Sequence, residues 1–255
     1  MMRFDFTNKR VLVTGGTRGI GKAVATAFNN AGAHVAINGR TADSVAKAIT
    51  AMTAKERLFA AAGDVGTVAG CENAVNSAIE ALGGLDILVN SAGVGVDASV
   101  EESDESLWDT TLNVNLKGTF FCCRAALGAL REAKGNIINI ASDAGLMGNP
   151  GTTIYCASKG GVVNMTRAMA MELAPQVRVN CVCPGYVDTD MVRRDWIDKE
   201  DDPASLEKML CDYAPMKRIA TPEEIASSVL YLAASEAGFI TGSALQIDGG
   251  STAGH

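Results

Sequence analysis

Three side chains in the stretch SDAGLMGNPGTTIYCASKGG, residues 142–161, have the types and spacing of proton chemistry. Tyr155 and Lys159 stand four residues apart, so on a helix they share a face. A free phenol titrates near pH ~10 and is a poor acid or base at neutrality. An ammonium group held beside it favours the phenolate and brings it nearer to that use. Ser142 opens the same stretch. Its hydroxyl can donate to an oxygen on which negative charge develops. Taken singly, these are a core tyrosine, a surface lysine and a capping serine. What precedes them in the chain decides between the readings.

Near the start, TGGTRGIG (Thr14–Gly21) follows the apolar run RVLVT and precedes a helical pattern. Its glycines fall at 15, 16, 19 and 21, which differs from the common GxGxxG spacing, but the physics is the same. Gly15 permits a tight turn, and Gly19 and Gly21 let a pyrophosphate approach the backbone at a helix N-terminus. After the next strand, Asn38-Gly39-Arg40 carries a cation where an acid would bind a ribose 2′-hydroxyl. Arg18 lies within the glycine loop. Two cations near one expected phosphate favour NADP over NAD. Asp64 and Val65 are expected to close the third strand near the adenine, and Asn90-Ser91-Ala92-Gly93 to end the fourth, where small residues let a dinucleotide cross the strand ends.

These groups need a scaffold that brings strand ends together. Apolar runs at 10–14, 33–38, 57–62, 85–90, 135–142, 177–183 and 243–248 alternate with helical patterns at about 19–31, 41–52, 67–82, 103–131, 152–173 and from Thr221. Ser103 with Ser106 is the expected start of the long helix, and Thr221-Pro222-Glu223-Glu224 that of the last. Such alternation implies an α/β single-domain Rossmann fold over 1–255: a doubly wound parallel sheet of about seven strands with helices on both faces. The charged, poorly periodic stretch 188–215 is expected to be a flap over the site.

TGGTRGIG, NSAG at 90–93, Asn115 in NVNLKG, Ser142, Tyr155-x-x-x-Lys159 and PGYVDT at 184–189, taken in order, resemble the short-chain dehydrogenase/reductase family over essentially the whole chain. Ser91 departs from the family's usual second asparagine. The resemblance implies hydride exchange with a nicotinamide dinucleotide, with Tyr155 as general acid or base. It implies that Thr14, Gly15, Thr17, Arg18, Gly19, Ile20 and Gly21 hold the cofactor, with Arg40, Asp64, Val65, Asn90, Ala92 and Gly93. It further implies that Lys159 bonds the nicotinamide ribose, that Asn115 holds a water relaying protons to Lys159, and that Pro184, Gly185, Val187 and Thr189 lie at the carboxamide. A homotetramer is implied as well, with the helices at 103–131 and 152–174 and the last strand between subunits.

Composition excludes other classes. The chain has 255 residues, 47% of them hydrophobic, and a net charge of −7. An acidic chain with no Lys/Arg run does not suit nucleic acid or an anionic membrane surface. The seven cysteines form no CxxC and the histidines are only His34 and His255, so no metal site is expected. Scattered cysteines and a first strand close to the start indicate a cytoplasmic protein with reduced thiols. Cys156 is expected to turn about 100° away from Tyr155 and to pack. Val94, Val96, Leu146, Met147, Met191 and Trp196 give the expected pocket a mainly apolar lining, and its flap holds Arg193 and Arg194. The expected substrate is a small neutral ketone, diketone, diol or polyol. A 3-oxoacyl-carrier-protein reductase is the alternative enzyme, and a cofactor-binding regulator without turnover the alternative of another class. The acidic DWIDKEDDP stretch argues against an acidic carrier protein as partner.

Overall fold

The computed structural model describes residues 4–194 and 196–254; Asp195 of DWIDKEDDP, the first three residues and His255 lie outside them. Seven parallel strands form one sheet: β1 (Arg10–Thr14), β2 (His34–Gly39), β3 (Leu58–Ala62), β4 (Ile87–Asn90), β5 (Asn136–Ile140), β6 (Arg178–Pro184) and β7 (Ala244–Ile247). Their order is β3-β2-β1-β4-β5-β6-β7. It reverses direction between β1 and β4, and in such a sheet the crevice at the carboxyl ends of those two strands is where ligands bind. Thr14 pairs with Asn90 at that point, so both motif turns leave the sheet side by side.

The central strands are mainly apolar because both faces are covered. In β1, Val11 and Val13 point into one layer with Phe28, Ile225 and Val229, while Leu12 points into the other with Val75, Ala126 and Leu130. This is the period-two alternation of a strand buried on both sides. The first layer is built by α1 (Gly19–Asn30), α2 (Ala42–Thr50) and α8 (Pro222–Ala233), the second chiefly by α3 (Val68–Leu82), α5 (Thr119–Ala133) and α6 (Thr153–Leu173).

Helix starts follow local chemistry. Thr41 and Thr67 accept from Ser44 N and Gly70 N. Thr221 and Glu224 form a reciprocal capping box at α8. Four expectations need correction. The third strand ends at Ala62, leaving Asp64 and Val65 in the turn after it. The long helix opens at Asp104, whose carboxylate accepts from Leu107 N, while Ser103 bonds the carbonyl of Ser99. That helix is also divided, into α4 (Glu105–Leu112), a π-helical stretch over Asn113–Gly118, and α5. The segment 188–215 holds a 3₁₀ turn at Ile197–Lys199 and a helix, α7 (Pro203–Tyr213).

Candidate active site

The glycine loop is fixed from below by polar side chains at strand ends. Thr14 is buried, and its Oγ1 accepts from Ser91 N at 3.1 Å and Ala92 N at 3.2 Å. Gly15 has φ +62°, and a Cβ there would stand 2.7 Å from Ala92 Cα, so only glycine fits. Asn38, which sequence reading treated only as the missing acid, is buried and ties three strand ends together. Its Oδ1 accepts from Gly15 N at 3.3 Å, and its Nδ2 donates to the carbonyls of Ala61 at 2.8 Å and Gly63 at 3.0 Å. A polar residue inside an apolar strand was the signal for this role.

α1 begins at Gly19 with Arg18 extended before it and no side chain capping its first N–H groups. A helix start without a capping oxygen retains its partial positive charge for an anion. Ile20 packs its side chain into the core and so offers the cleft only its backbone. Thr17 lies against the end of β2, where a Cβ on Gly39 would fall 2.6 Å from Thr17 Cγ2. Arg18 and Arg40 are both exposed at this end of the sheet. The exposed Asp64 carboxylate accepts from Gly66 N at 3.0 Å, while Val65 is buried. Asn90 turns inward, donating to Asn139 Oδ1 at 2.9 Å and Cys123 Sγ at 3.2 Å. Its side chain therefore holds β4 to β5 and α5.

At the other end of the cleft, distant motifs meet. A Cβ on Gly93 would lie 3.4 Å from Asn115 Oδ1 and 3.6 Å from Lys159 Nζ. One on Gly95 would lie 3.4 Å from Met191 Sδ and 3.6 Å from Tyr155 Cε2. The methyl of Thr189 would be 3.4 Å from a Cβ on Gly19. The loop after β6 thus comes beside the glycine loop; Val187 is buried and bridges to Ala220, with Asp188 N bonded to Ala220 O at 2.8 Å. Pro184 closes β6, and Gly185 N donates to Ile247 O at 3.2 Å.

Asn115 sits in the π-helical stretch, 1% exposed, with its side chain committed. Oδ1 accepts from Val94 N at 2.8 Å, and Nδ2 donates to Val94 O at 2.9 Å and Ser158 Oγ at 3.1 Å. Its amide clamps the loop after β4 to α6. Lys159 is buried and donates from Nζ to Ile140 O at 2.9 Å; Nζ lies 5.6 Å from the Tyr155 ring centroid. Burial lowers Lys159 to about 8. Burial also raises Tyr155 to about 12, with Ser142 pulling the other way and Asp143 and Asp97 adding to the rise. Lys159 is not among the causes of this shift in the chain without cofactor; the expected acidification pairs it with the oxidised nicotinamide ring. Ser142 is likewise occupied, since its hydroxyl donates to Asp143 Oδ1 at 2.9 Å. Cys156 faces Thr152 Oγ1 at 3.3 Å, as packing requires.

Tyr186, Tyr213 and Trp196 form an aromatic wall, with Tyr186 centred 5.3 Å from Tyr213 and 6.0 Å from Trp196. Arg193 is braced within its own segment by Asp188 at 2.7 Å and Glu207 at 2.6 Å. A cavity of about 590 Å³ has Tyr186 and Asp248 in its walls but not Ser142, Tyr155 or Lys159. It adjoins the converging motifs without containing them. Among the described residues there is no group of three His, Cys, Asp or Glu able to hold a metal ion, and no helix long and apolar enough to cross a membrane.

A family model described as enoyl-(acyl carrier protein) reductase matches residues 15–252. The meso-2,3-butanediol dehydrogenase of Serratia marcescens is 39% identical over 253 residues, spanning 99% of this chain and 97% of that protein. The 2-(S)-hydroxypropyl-CoM dehydrogenase 3 of Xanthobacter autotrophicus is also 39% identical, over 96% of this chain and 97% of its own. A glucose/ribitol-type short-chain dehydrogenase/reductase from Brucella melitensis superposes with a TM-score of 0.90 at 34% identity, covering 98% of this chain and 99% of that one. Since motifs, strand order and relatives agree from one end to the other, the chain belongs to the short-chain dehydrogenase/reductase family, oxidoreductases of alcohol and carbonyl groups.

Proposed function

We propose that this protein transfers a hydride between NADP(H) and a small neutral ketone, diketone, diol or polyol. Ser142, Tyr155, Lys159 and Asn115 form its catalytic group. The observation that carries this reading is the meeting of Gly93, Asn115 and Lys159 with Gly95 and Tyr155 at the carboxyl ends of β4 and β5. The uncapped start of α1 suits a pyrophosphate, held by the backbone of Thr17, Arg18, Gly19, Ile20 and Gly21. Arg18 and Arg40 suit the 2′-phosphate, because neither has an acid taking its place at the end of β2. Thr14, Gly15, Asp64, Val65, Asn90 and Ala92 would hold the adenosine half, and Gly93, beside Asn115 and Lys159, would lie toward the nicotinamide. Pro184, Gly185, Val187 and Thr189 would hold the nicotinamide half, and Lys159 its ribose. The bound dinucleotide supplies or accepts the hydride and, when oxidised, a positive ring.

In carbonyl reduction Tyr155 gives its proton to the nascent alkoxide; in alcohol oxidation its phenolate takes one. Burial favours the neutral phenol, so in the oxidative direction a positive ring must supply what Lys159 alone does not. Lys159, already shifted toward neutrality, can return a proton to Tyr155 through solvent held near Asn115. The segment 188–215 covers the substrate. The internal pairing of Arg193 supports a neutral substrate over an anionic one.

A homotetramer in the cytoplasm completes the proposal. All seven cysteines are free thiols. The exposed Trp108, Phe120 and Met171 on α4, α5 and α6 supply apolar surface for one interface. The second reading, a 3-oxoacyl-carrier-protein reductase, has in its favour a relative of that name from Chlamydia trachomatis, 35% identical over 95% of this chain.

Paired kinetics with NADPH and NADH across small diketones, sugars and acyl thioesters decide between these readings and against a non-catalytic regulator. We expect NADPH to be preferred and neutral carbonyls to be reduced. Arg40→Asp should cut kcat/KM for NADPH about tenfold or more with little change for NADH, the scale of one charge-assisted contact. Equal losses with both coenzymes would refute the assignment.

A further inference from the structure

The carboxylate of Asp143 is the one charged group beside Ser142 that the proton chemistry above does not use. It is 6% exposed. All of its hydrogen bonds fall on one oxygen: Oδ1 accepts from Ser142 Oγ at 2.9 Å and from Ala144 N at 2.7 Å. Oδ2 has no hydrogen-bond partner among the described residues. Gly185 packs between it and Asp248: a Cβ there would stand 3.4 Å from Oδ2 and 3.1 Å from Asp248 Cα. Burial, with Asp248 adding, raises the carboxyl of Asp143, and its charge disfavours the phenolates of Tyr155, Tyr186 and Tyr213. Asp97 acts on Tyr155 and Tyr186 in the same sense.

A carboxylate oxygen that no protein group satisfies is free to accept a hydrogen bond from a ligand donor. A plain ketone or secondary alcohol brings no spare donor once its reacting oxygen has met Ser142 and Tyr155. A carboxylate-bearing substrate brings charge of the wrong sign. A hydroxyl on the carbon next to the reacting one brings the missing hydrogen bond at about the right reach, since Asp143 adjoins Ser142 in the chain. We propose that Asp143 is the specificity-determining residue and that it selects substrates with a hydroxyl vicinal to the reacting carbon: vicinal diols and, in reverse, α-hydroxy ketones. This rests on the functional reading above and narrows it. It also removes acyl thioesters, which carry no such hydroxyl, from the preferred substrates.

The test is kcat/KM for oxidation of 2,3-butanediol, 2-butanol, 1-amino-2-propanol and 2-hydroxybutyrate by the parent enzyme, Asp143→Leu and Asp143→Asn. The parent should prefer the diol over 2-butanol about tenfold or more, the scale of one hydrogen bond to a charged group. Asp143→Leu should reduce that ratio to within about threefold of unity. Asp143→Asn, which keeps an amide oxygen and the side chain's shape, should lie between them and serves if the leucine variant does not fold. A simple structural role would lower both rates together and leave the ratio unmoved. An unchanged ratio in the variants, or a parent preference for the amino alcohol or the hydroxy acid, overturns the proposal. A parent that oxidises 2-butanol as well as the diol sinks this inference and leaves the general reading standing. A parent that oxidises none of the four, with either coenzyme, sinks both.

Discussion

Burial sets Lys159 and Tyr155 against their surroundings before any ligand binds. Lys159 falls to about 8 from the ordinary 10.5, so between those values the unfolded chain holds a proton that the folded one lacks. Stability contributed by this group therefore rises with pH across that window, and below it the buried charge is a constant burden. Lys159→Met should raise the stability of the ligand-free protein at pH ~7 by about 1–2 kcal/mol, the desolvation relieved less one hydrogen bond to Ile140. The advantage should shrink as the pH is raised. Urea unfolding of both proteins at two pH values checks this, and a destabilised variant at neutral pH would contradict it. Tyr155 and Tyr186, both pushed up to about 12, should titrate above an ordinary phenol in the free protein, and Tyr155 should fall when oxidised dinucleotide is added. A difference titration in the ultraviolet, parent minus Tyr155→Phe, reads that shift directly. The pairing of Tyr155 with Lys159 was visible in the sequence because one helical turn is a fixed spacing. The state of the pair was not, because it depends on burial assembled from four separate elements. The commitment of Ser142 to Asp143 was hidden for the same reason.

Strands and helices were legible wherever local chemistry repeats with a clear period. The seven apolar runs became the seven strands, and Thr221 with Glu224 became the cap that their spacing describes. The π-helical stretch at Asn113–Gly118 was not legible, since one added residue in a single turn leaves no period to read. It matters because Asn115, at its centre, binds both backbone groups of Val94. Asn115→Ala leaves those groups unpaired and should destabilise the protein by about 1–3 kcal/mol. Asn115→Asp keeps the acceptor for Val94 N but loses both donors, so it should recover only part of that loss. Chemical denaturation of the two variants measures the difference. α7 was missed because its apolar positions are few and its acidic flanks resemble a loop.

At the scale of the whole molecule, the order β3-β2-β1-β4-β5-β6-β7 puts the cofactor motifs and the proton-transfer residues along one edge of the sheet. Alternation of strands and helices predicts such a sheet, but not which side chains cross between layers. The large apolar side chains left exposed belong to this scale. Phe120 is 42% and Met171 86% exposed on helices that otherwise bury their apolar faces. If these helices pack between subunits, the double substitution Phe120→Glu with Met171→Glu should split a tetramer into smaller species in sedimentation velocity. A parent protein that already sediments as a monomer would refute the assembly.

The bare N-terminus of α1 has a consequence beyond catalysis. A helix that leaves its first N–H groups for a visiting phosphate is finished only when the visitor is present. Saturation at about a hundred times the dissociation constant adds about 2.7 kcal/mol to the folded state. The melting temperature should then climb with coenzyme concentration, and resistance to proteases with it. In a cell, the lifetime of this chain would follow the size of the nucleotide pool it draws on, so that a metabolic shortage thins the enzyme as well as idling it.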